Sequence, residues 1–239
     1  DYYASRGLGD VYKRQVFRDF WTAARSVLQR AEGKEDISGT YLGADGRYFA
    51  KVTDDSFDWV RLEKNAGYIR DFFAASGKPC TALIVPSPAG ILRDMLPENA
   101  PYFNEDKAFG QLGDILGGTL LDSRETLSAV DDPYYHTDHH WTTMGAQAAY
   151  TLWAQATGHT ARSYELTLAT DSFRGTLYSK VLLPDSVYDS VYYAPEITVA
   201  SVVCDGKDGA LYDLSALEQK DKYELFLGGN YGQCVITTG

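Results

Sequence analysis

Proton-transfer chemistry needs imidazoles and carboxylates close together, and one short stretch of the chain supplies both. His136, Asp138, His139 and His140 fall within five residues, followed directly by Trp141. Three of the chain's four histidines are there. In an extended segment side chains two apart point the same way, so Asp138 and His140 are expected to share a side while His139 points elsewhere. A carboxylate beside an imidazole orients the ring and fixes its tautomer, and the ring can then take a proton from a hydroxyl. Asp138 and His140 are therefore the candidate catalytic pair. His136 and His139 are read as structural or supporting residues, and Trp141 as a packing residue that anchors the loop. These histidines and Asp138 are also metal-ligand types, but their spacing matches no strong zinc pattern and no distant ligand cluster accompanies them. No metal and no cofactor are expected.

A pair of this kind needs a hydroxyl to activate and donors for an oxyanion. Ser87 follows the apolar run Ala82 to Val85, where a nucleophile could sit, although Pro86 and Pro88 on either side restrict a tight elbow turn. Ser179 lies beside Tyr178 in the segment Gly175 to Lys180. Ser87 and Tyr178 are carried as substrate-binding candidates. Gly228-Gly229-Asn230 offers backbone N–H groups and a side-chain amide, so Gly229 and Asn230 are candidate oxyanion donors; such a tripeptide also reads as a plain turn. His159 sits in a turn and needs no function.

The elements that must hold these residues read as alternating helices and strands. The Ala-rich stretch Gln147 to Ala156, stopped by Gly158, predicts a helix directly after the His-rich loop, capped by Thr142 or Thr143. The partial positive charge at that helix start predicts a neutral His140. Upstream, Val16 to Glu32 reads as an amphipathic helix, residues 39–49 as a hairpin turning at Asp45-Gly46, and Phe57 to Ala75 as a helix. Cys80 to Val85 is a nearly continuous apolar run, as in a strand buried on both faces of a parallel sheet. Helices around Ile91 to Leu96 and Ala108 to Leu116 and a strand at Thr119 to Leu121 follow. This alternation predicts an α/β sandwich whose sites form beyond the carboxyl ends of the strands. Residues from about 173 to 213 are rich in Tyr, Val and Thr and read as a β-rich insertion; Tyr223 to Leu227 reads as a strand.

At 239 residues with 44% hydrophobic content, the chain can bury a substantial core. Its net charge of -11 argues against nucleic acid and anionic membrane surfaces as partners. Neutral partners such as carbohydrate remain open, and 18 tyrosines and 4 tryptophans would suit sugar contacts as well as a core. Cys80, Cys204 and Cys234 show no metal-like spacing, and their odd number leaves one without a partner among them.

Asp138-His139-His140-Trp141, followed by Thr142 and Gly145-Ala146, resembles the signature of the bacterial DHHW protein family, which is similar in turn to the SGNH-hydrolase-like proteins that O-acetylate alginate. Arg61 to Asn65, Ile84 to Ser87, Asp171 to Lys180 and Leu227 to Asn230 fit the same family in the same order, so the resemblance covers roughly residues 37 to 239. It implies an SGNH-hydrolase-like three-layer α/β/α sandwich with a mostly parallel sheet, truncated at the C-terminus. It also implies acyl transfer or deacylation at carbohydrate hydroxyls: a serine attacks an acetyl ester, His140 moves the proton and Asp138 orients it. In the alginate-acetylating relatives that serine lies downstream of the Asp-x-His element. None of the Asp-Ser pairs that follow here is read as that element in its strand-turn context, so the nucleophile is expected to lie outside this chain and the chain alone to be inactive. The implied partners are a carbohydrate acceptor or acetylated glycan and a membrane acyl-transfer protein, at an extracytoplasmic location. The rival expectation is a non-catalytic carbohydrate-binding or polysaccharide-assembly protein that keeps the fold.

Residues 1–15 are set apart, because Asp10 to Gln15 reads as a translated transposon end from sequencing-library preparation. The expected organisation is thus a non-native 1–15, an N-terminal helix at 16–36 and an incomplete SGNH-like domain at 37–239. A membrane anchor, on this expectation, belongs to a native N-terminus that is absent.

Overall fold

The computed structural model describes residues 8–238, with side chains described from residue 17 onward. Helix α1, Leu8–Ala31, covers the predicted 16–32 helix and begins earlier, inside the segment set apart on sequence. Three short strands follow, β1 (Asp36–Ile37), β2 (Thr40–Leu42) and β3 (Tyr48–Ala50), in an antiparallel sheet. The β2–β3 turn falls at Asp45-Gly46 as expected, with both residues at positive φ (54° and 73°). That conformation costs Asn, Asp and Gly least.

Helix α2, Trp59–Ser76, starts where the Asp58 carboxylate accepts the Arg61 N–H at 2.9 Å, and ends at Gly77 in the left-handed conformation. Strand β4, Ala82–Ile84, leads through Ser87 into the short α3, Pro88–Ile91. Helix α4, Glu105–Leu116, is capped by Asn104, whose side chain accepts from Lys107 N–H. It returns the chain to β5, Leu120–Asp122, which pairs parallel with β4 in the register Ala82–Leu120, Leu83–Leu121, Ile84–Asp122. Ala66 of α2 and Leu112 and Leu116 of α4 form a buried cluster against Ile84 and Leu120, which covers one face of this pair. A short α5, Arg124–Ser128, precedes the His-rich loop, and α6, Thr143–Ala156, follows it.

The remainder is antiparallel. Strands β6 (Thr167–Phe173) and β7 (Asp189–Tyr193) pair across an excursion containing α7 (Tyr178–Val181). Strands β8 (Ser201–Cys204), β9 (Lys207–Asp208) and β10 (Cys234–Thr237) form a three-stranded sheet in the order β10-β8-β9. The expected mostly parallel sheet therefore needs correction. Among the described residues parallel pairing is confined to β4–β5, whose connection crosses over through α4; β6–β7 and β8–β10 return antiparallel across longer excursions, and β8–β9 across a tight turn. The expected strand at Tyr223 to Leu227 is instead a 3₁₀ turn, Lys222–Leu225, which retains one bridge, Tyr212 to Phe226. Its apolar residues face a cluster of Tyr135, Phe173 and Val191 around a fully buried Leu225, and a turn delivers them there as well as a strand would.

Cys204 and Cys234 form a disulfide, with Cα atoms 4.2 Å apart and a sequence separation of 30; Cys80 is free. The bridge ties β8 to β10 and closes the loop that carries Gly229 and Asn230. By chain entropy a closure of this length contributes about 3–4 kcal/mol. Reduction, or Cys204→Ser, is expected to lower the urea midpoint by that amount divided by the m-value. An unchanged midpoint would show that the crosslink does not constrain the unfolded chain. Among the described residues, no helix is long and apolar enough to cross a membrane.

Candidate active site

The His-rich loop is closed at its base and clamped from three directions. Tyr134 and Trp141 form an antiparallel bridge, Tyr135 N–H donates to His140 O at 3.2 Å, and Thr142 N–H donates to Pro133 O at 2.9 Å. From the β2–β3 hairpin, Arg47 is buried at 2% exposure and donates to the carbonyls of Tyr134 (2.7 Å) and Tyr135 (3.1 Å) and to the Asp132 carboxylate (2.5 Å). From β7, the buried Asp189 accepts the N–H groups of His136 (2.6 Å) and Thr137 (2.8 Å) and the Thr137 hydroxyl (2.5 Å). From the turn before α7, Gly175 N–H donates to Thr137 Oγ1 at 3.0 Å and Thr176 N–H to Asp138 Oδ2 at 2.6 Å.

This clamping sets the pair that the sequence singles out. Asp138 is 2% exposed, and its Oδ1 accepts both the backbone N–H of His140 at 2.9 Å and the ring Nδ1 at 2.5 Å. Burial pushes the Asp138 carboxyl up, but the bonds from the His140 ring and from the backbones of Thr176 and His140 outweigh it and hold the group well below the usual carboxylate range. With Nδ1 donating to Asp138, the lone pair is left on Nε2. The His140 pKa is raised above 6.5, first by the bond to Asp138, against partial desolvation. The expected lowering by the α6 helix start does not prevail, because a carboxylate in direct contact outweighs partial charges at a helix end. The cap itself is as expected: Thr142 Oγ1 accepts Gly145 N–H at 3.2 Å.

His139 departs from its expected direction. The loop bends rather than extends, so the His139 ring packs 4.1 Å from that of His140 and its Nδ1 lies 2.9 Å from Thr176 Oγ1. Desolvation lowers its pKa, with Asp138 opposing. His136 is held by Asp189 and by Arg47 Nη2, 3.2 Å from its Nε2, which suits its supporting assignment. Trp141 forms the base of the loop and lines a cavity behind it. Asp138, His139 and His140 could converge on a cation, since one ligand atom from each lies within 4.8 Å of the others. Both Asp138 oxygens, however, are already committed to His140 and Thr176.

A cavity of about 600 Å³ opens over the pair, lined by Asp138, His140, Thr176, Tyr223, Gly229 and Asn230 among others. The Gly228-Gly229-Asn230 turn thus lies beside Asp138 and His140, although some 90 residues separate them in sequence. Ser179 lines the same cavity, with its hydroxyl donating to Gly175 O at 3.2 Å. Tyr178 does not line it: its phenol accepts from Arg174 Nη1 at 3.2 Å and its ring packs beside Ile37 and Leu177. Ser87 lies in a second cavity, of about 550 Å³, that His140 also borders. There its Oγ caps α3 by accepting Gly90 N–H at 3.1 Å and donates to the buried Glu105 at 3.2 Å. Burial raises the Glu105 pKa. Among the described residues no serine hydroxyl bonds to the His140 ring.

Sequence reasoning missed Arg47, Thr137, Gly175, Thr176, Asp189 and Tyr223. Asp189 carried a signal, an acid in the inward register of an apolar strand beside Val191. Gly175 carried one only in hindsight: a Cβ there would lie 2.2 Å from Asp138 Oδ2, so only glycine lets this turn approach the carboxylate.

Residues 53–202, more than half of the chain, match the SGNH hydrolase-like domain of the acetyltransferase AlgX. The chain belongs to this family. Its Asp138-His139-His140-Trp141 element is the family resemblance seen in sequence, and solved structures bear out the fold. A DHHW family protein from Eubacterium siraeum superposes with a TM-score of 0.62 at 19% identity, over 82% of this chain and 70% of that one. Bacillus cereus PatB1 with a sulfonyl adduct gives 0.63 at 16% identity, over 83% and 74%. The O-acetyltransferase domain of Pseudomonas putida AlgJ gives 0.51 at 21%, over 64% and 63%. Among curated proteins, none matches in sequence. In this AlgX-type SGNH domain, the AlgX match ends past β7 and takes in every clamp on the loop except Arg47.

Proposed function

We propose that the protein transfers or removes acetyl groups at carbohydrate hydroxyls, with Asp138 and His140 serving a serine nucleophile supplied from outside residues 1–239. The observation that carries this reading is the bond from His140 Nδ1 to a buried, ionised Asp138, with Nε2 unbonded among the described residues at the edge of a cavity of about 600 Å³. A structural loop has no use for an oriented imidazole with an unspent lone pair.

In the first half-reaction the serine oxygen bonds to the acyl carbonyl carbon as its proton passes to His140 Nε2. Asp138 stabilises the imidazolium without taking the proton. The tetrahedral oxyanion is met by donors from the Gly229-Asn230 turn. It collapses when His140 returns the proton to the leaving oxygen. A sugar hydroxyl, or water, then repeats the sequence and regenerates the serine. The acidic balance of the chain and the mixed polar lining, including Asn230, Glu224 and Lys220, suit a neutral glycan. The Cys204–Cys234 bridge supports an extracytoplasmic setting, where disulfides persist. A membrane partner that delivers the acyl group is part of the same reading.

The absence of a bonded serine at His140 among the described residues favours a second reading, a glycan-binding or assembly protein that keeps the fold. Mass spectrometry of a glycan incubated with the full-length protein and an acetyl donor separates the two. Gain or loss of acetyl groups supports the enzyme; bound but unmodified glycan supports the binder.

The enzyme reading also sets a pH profile. Protonated His140 cannot accept a proton, so kcat/KM for an acetyl ester should rise with pH through the raised His140 pKa, above 6.5. Asp138→Asn removes the interaction that favours imidazolium, so the acid limb should move to lower pH while the plateau falls. A limb that stays in place would assign the titration to another group.

A further inference from the structure

We propose that Tyr223 is the residue that positions the His140 ring, through a stacked contact in place of a second hydrogen bond; this rests on the catalytic reading of Asp138 and His140 above. The two rings lie 4.9 Å apart between centroids at an interplanar angle of 16°. The Nδ1 bond to Asp138 fixes one edge of the imidazole, and the His139 ring meets it only at a tilt of 34°, which leaves the plane without a flat support from its own loop. An aromatic face laid flat against the ring restrains the plane, and with it the direction of the Nε2 lone pair. Acyl transfer is sensitive to that direction.

The platform is built to be stiff. Tyr223 sits in the 3₁₀ turn Lys222–Leu225, where the Asp221 carboxylate accepts its N–H at 3.1 Å and Leu225 is fully buried. Its ring is wedged edge-on against Tyr135 and Phe226 and stacked with Phe173, at centroid distances of 6.2, 5.3 and 6.2 Å. Its hydroxyl has no hydrogen-bond partner among the described residues, so the aromatic face, not the phenol, is what the site uses. The separation lies within the range that offset-stacked aromatic rings favour. Asp138, His139 and Asp221 are the other titratable groups around the imidazole.

The test combines nitrogen NMR of labelled histidine with steady-state kinetics of the full-length protein. Tyr223→Phe should keep a sharp His140 Nε2 resonance and keep kcat within about two-fold of wild type. Tyr223→Leu should leave the Nδ1–H tautomer, which the Asp138 bond fixes, but broaden the Nε2 resonance through motion of the ring plane and lower kcat about 10- to 100-fold with KM little changed. Tyr223→Met serves the same comparison should the leucine variant fail to fold. A sharp Nε2 resonance and full kcat in the non-aromatic variant would overturn the proposal. So would a phenylalanine variant as impaired as the leucine one, which would transfer the role to the hydroxyl, or a change confined to KM, which would make Tyr223 a substrate contact. If the wild-type protein turns over no acyl ester, the catalytic reading fails, while the Nε2 line-width comparison still decides whether Tyr223 holds the ring.

Discussion

His140→Ala in the full-length protein is expected to reduce acetyl-ester turnover by at least about 1,000-fold, with the fold intact. The size follows from what the ring does. In the proposed reaction it is the general base of one step and the general acid of the next, and no neighbour is placed to replace it. His139 is close, but its Nδ1 is engaged with Thr176 and burial lowers its pKa. The side chain is 42% exposed, so the variant leaves no large buried void. Asp138→Asn should fall by about 10,000-fold. Asparagine would offer an amide where His140 needs an acceptor, and it loses the charge that stabilises imidazolium. Isothermal titration with glycan is the companion measurement: binding should survive His140→Ala. Turnover that survives would remove His140 as the base, and glycan binding without any turnover by the wild-type protein would leave the binder. Residues 16–239 alone are expected to show no His140-dependent turnover, and the reverse result would promote Ser87 or Ser179 to nucleophile.

Arg47→Met is expected to cost about 2–4 kcal/mol of stability, read as a lowered urea midpoint. The guanidinium is nearly fully buried, and removing it leaves the carbonyls of Tyr134 and Tyr135 in the interior without donors, with Asp132 unpaired at the surface. Each stranded buried carbonyl costs about 1–3 kcal/mol, partly offset by the methionine's apolar volume. Arg30→Ala is the control. Arg30 also makes a two-pronged pair, to Asp185 at 2.8 and 2.9 Å, but both side chains are largely exposed. Its loss should cost under about 1 kcal/mol. Equal losses in the two variants would mean that the clamp on the His-rich loop is not where the stability resides.

Much of this protein is written locally. Thr142 is a helix cap that announces itself one residue before its helix, Asp58 and Asn104 cap α2 and α4 by the same local bond although the sequence reading passed over them, and Asp45-Gly46 supplies the only backbone its hairpin turn tolerates cheaply. The pairing of Asp138 with His140 was legible for the same reason. Two residues apart, they need only a short, well-anchored loop to meet, and capping and spacing are short-range properties that the sequence states directly.

What the sequence could not decide is everything that reaches the loop from elsewhere. Arg47 and Asp189 stand 85 or more positions from Asp132 and some 50 from Thr137 respectively, and nothing in either neighbourhood names its target. The direction of His139 followed from a bend that these clamps impose, and the raised pKa of His140 from a contact distance that outweighs the helix start. Tyr223 read as a strand residue because strand and 3₁₀ turn bury the same apolar pattern; only the packing of its ring against Phe173 and His140 shows which was chosen. Local hydrogen bonds and backbone preferences are properties of a few consecutive residues. The orientation of a catalytic ring is a property of the groups that hold it and its loop, and in this chain they come from the β2–β3 hairpin, the turn before α7, β7 and the 222–225 turn, brought together only when the core closes.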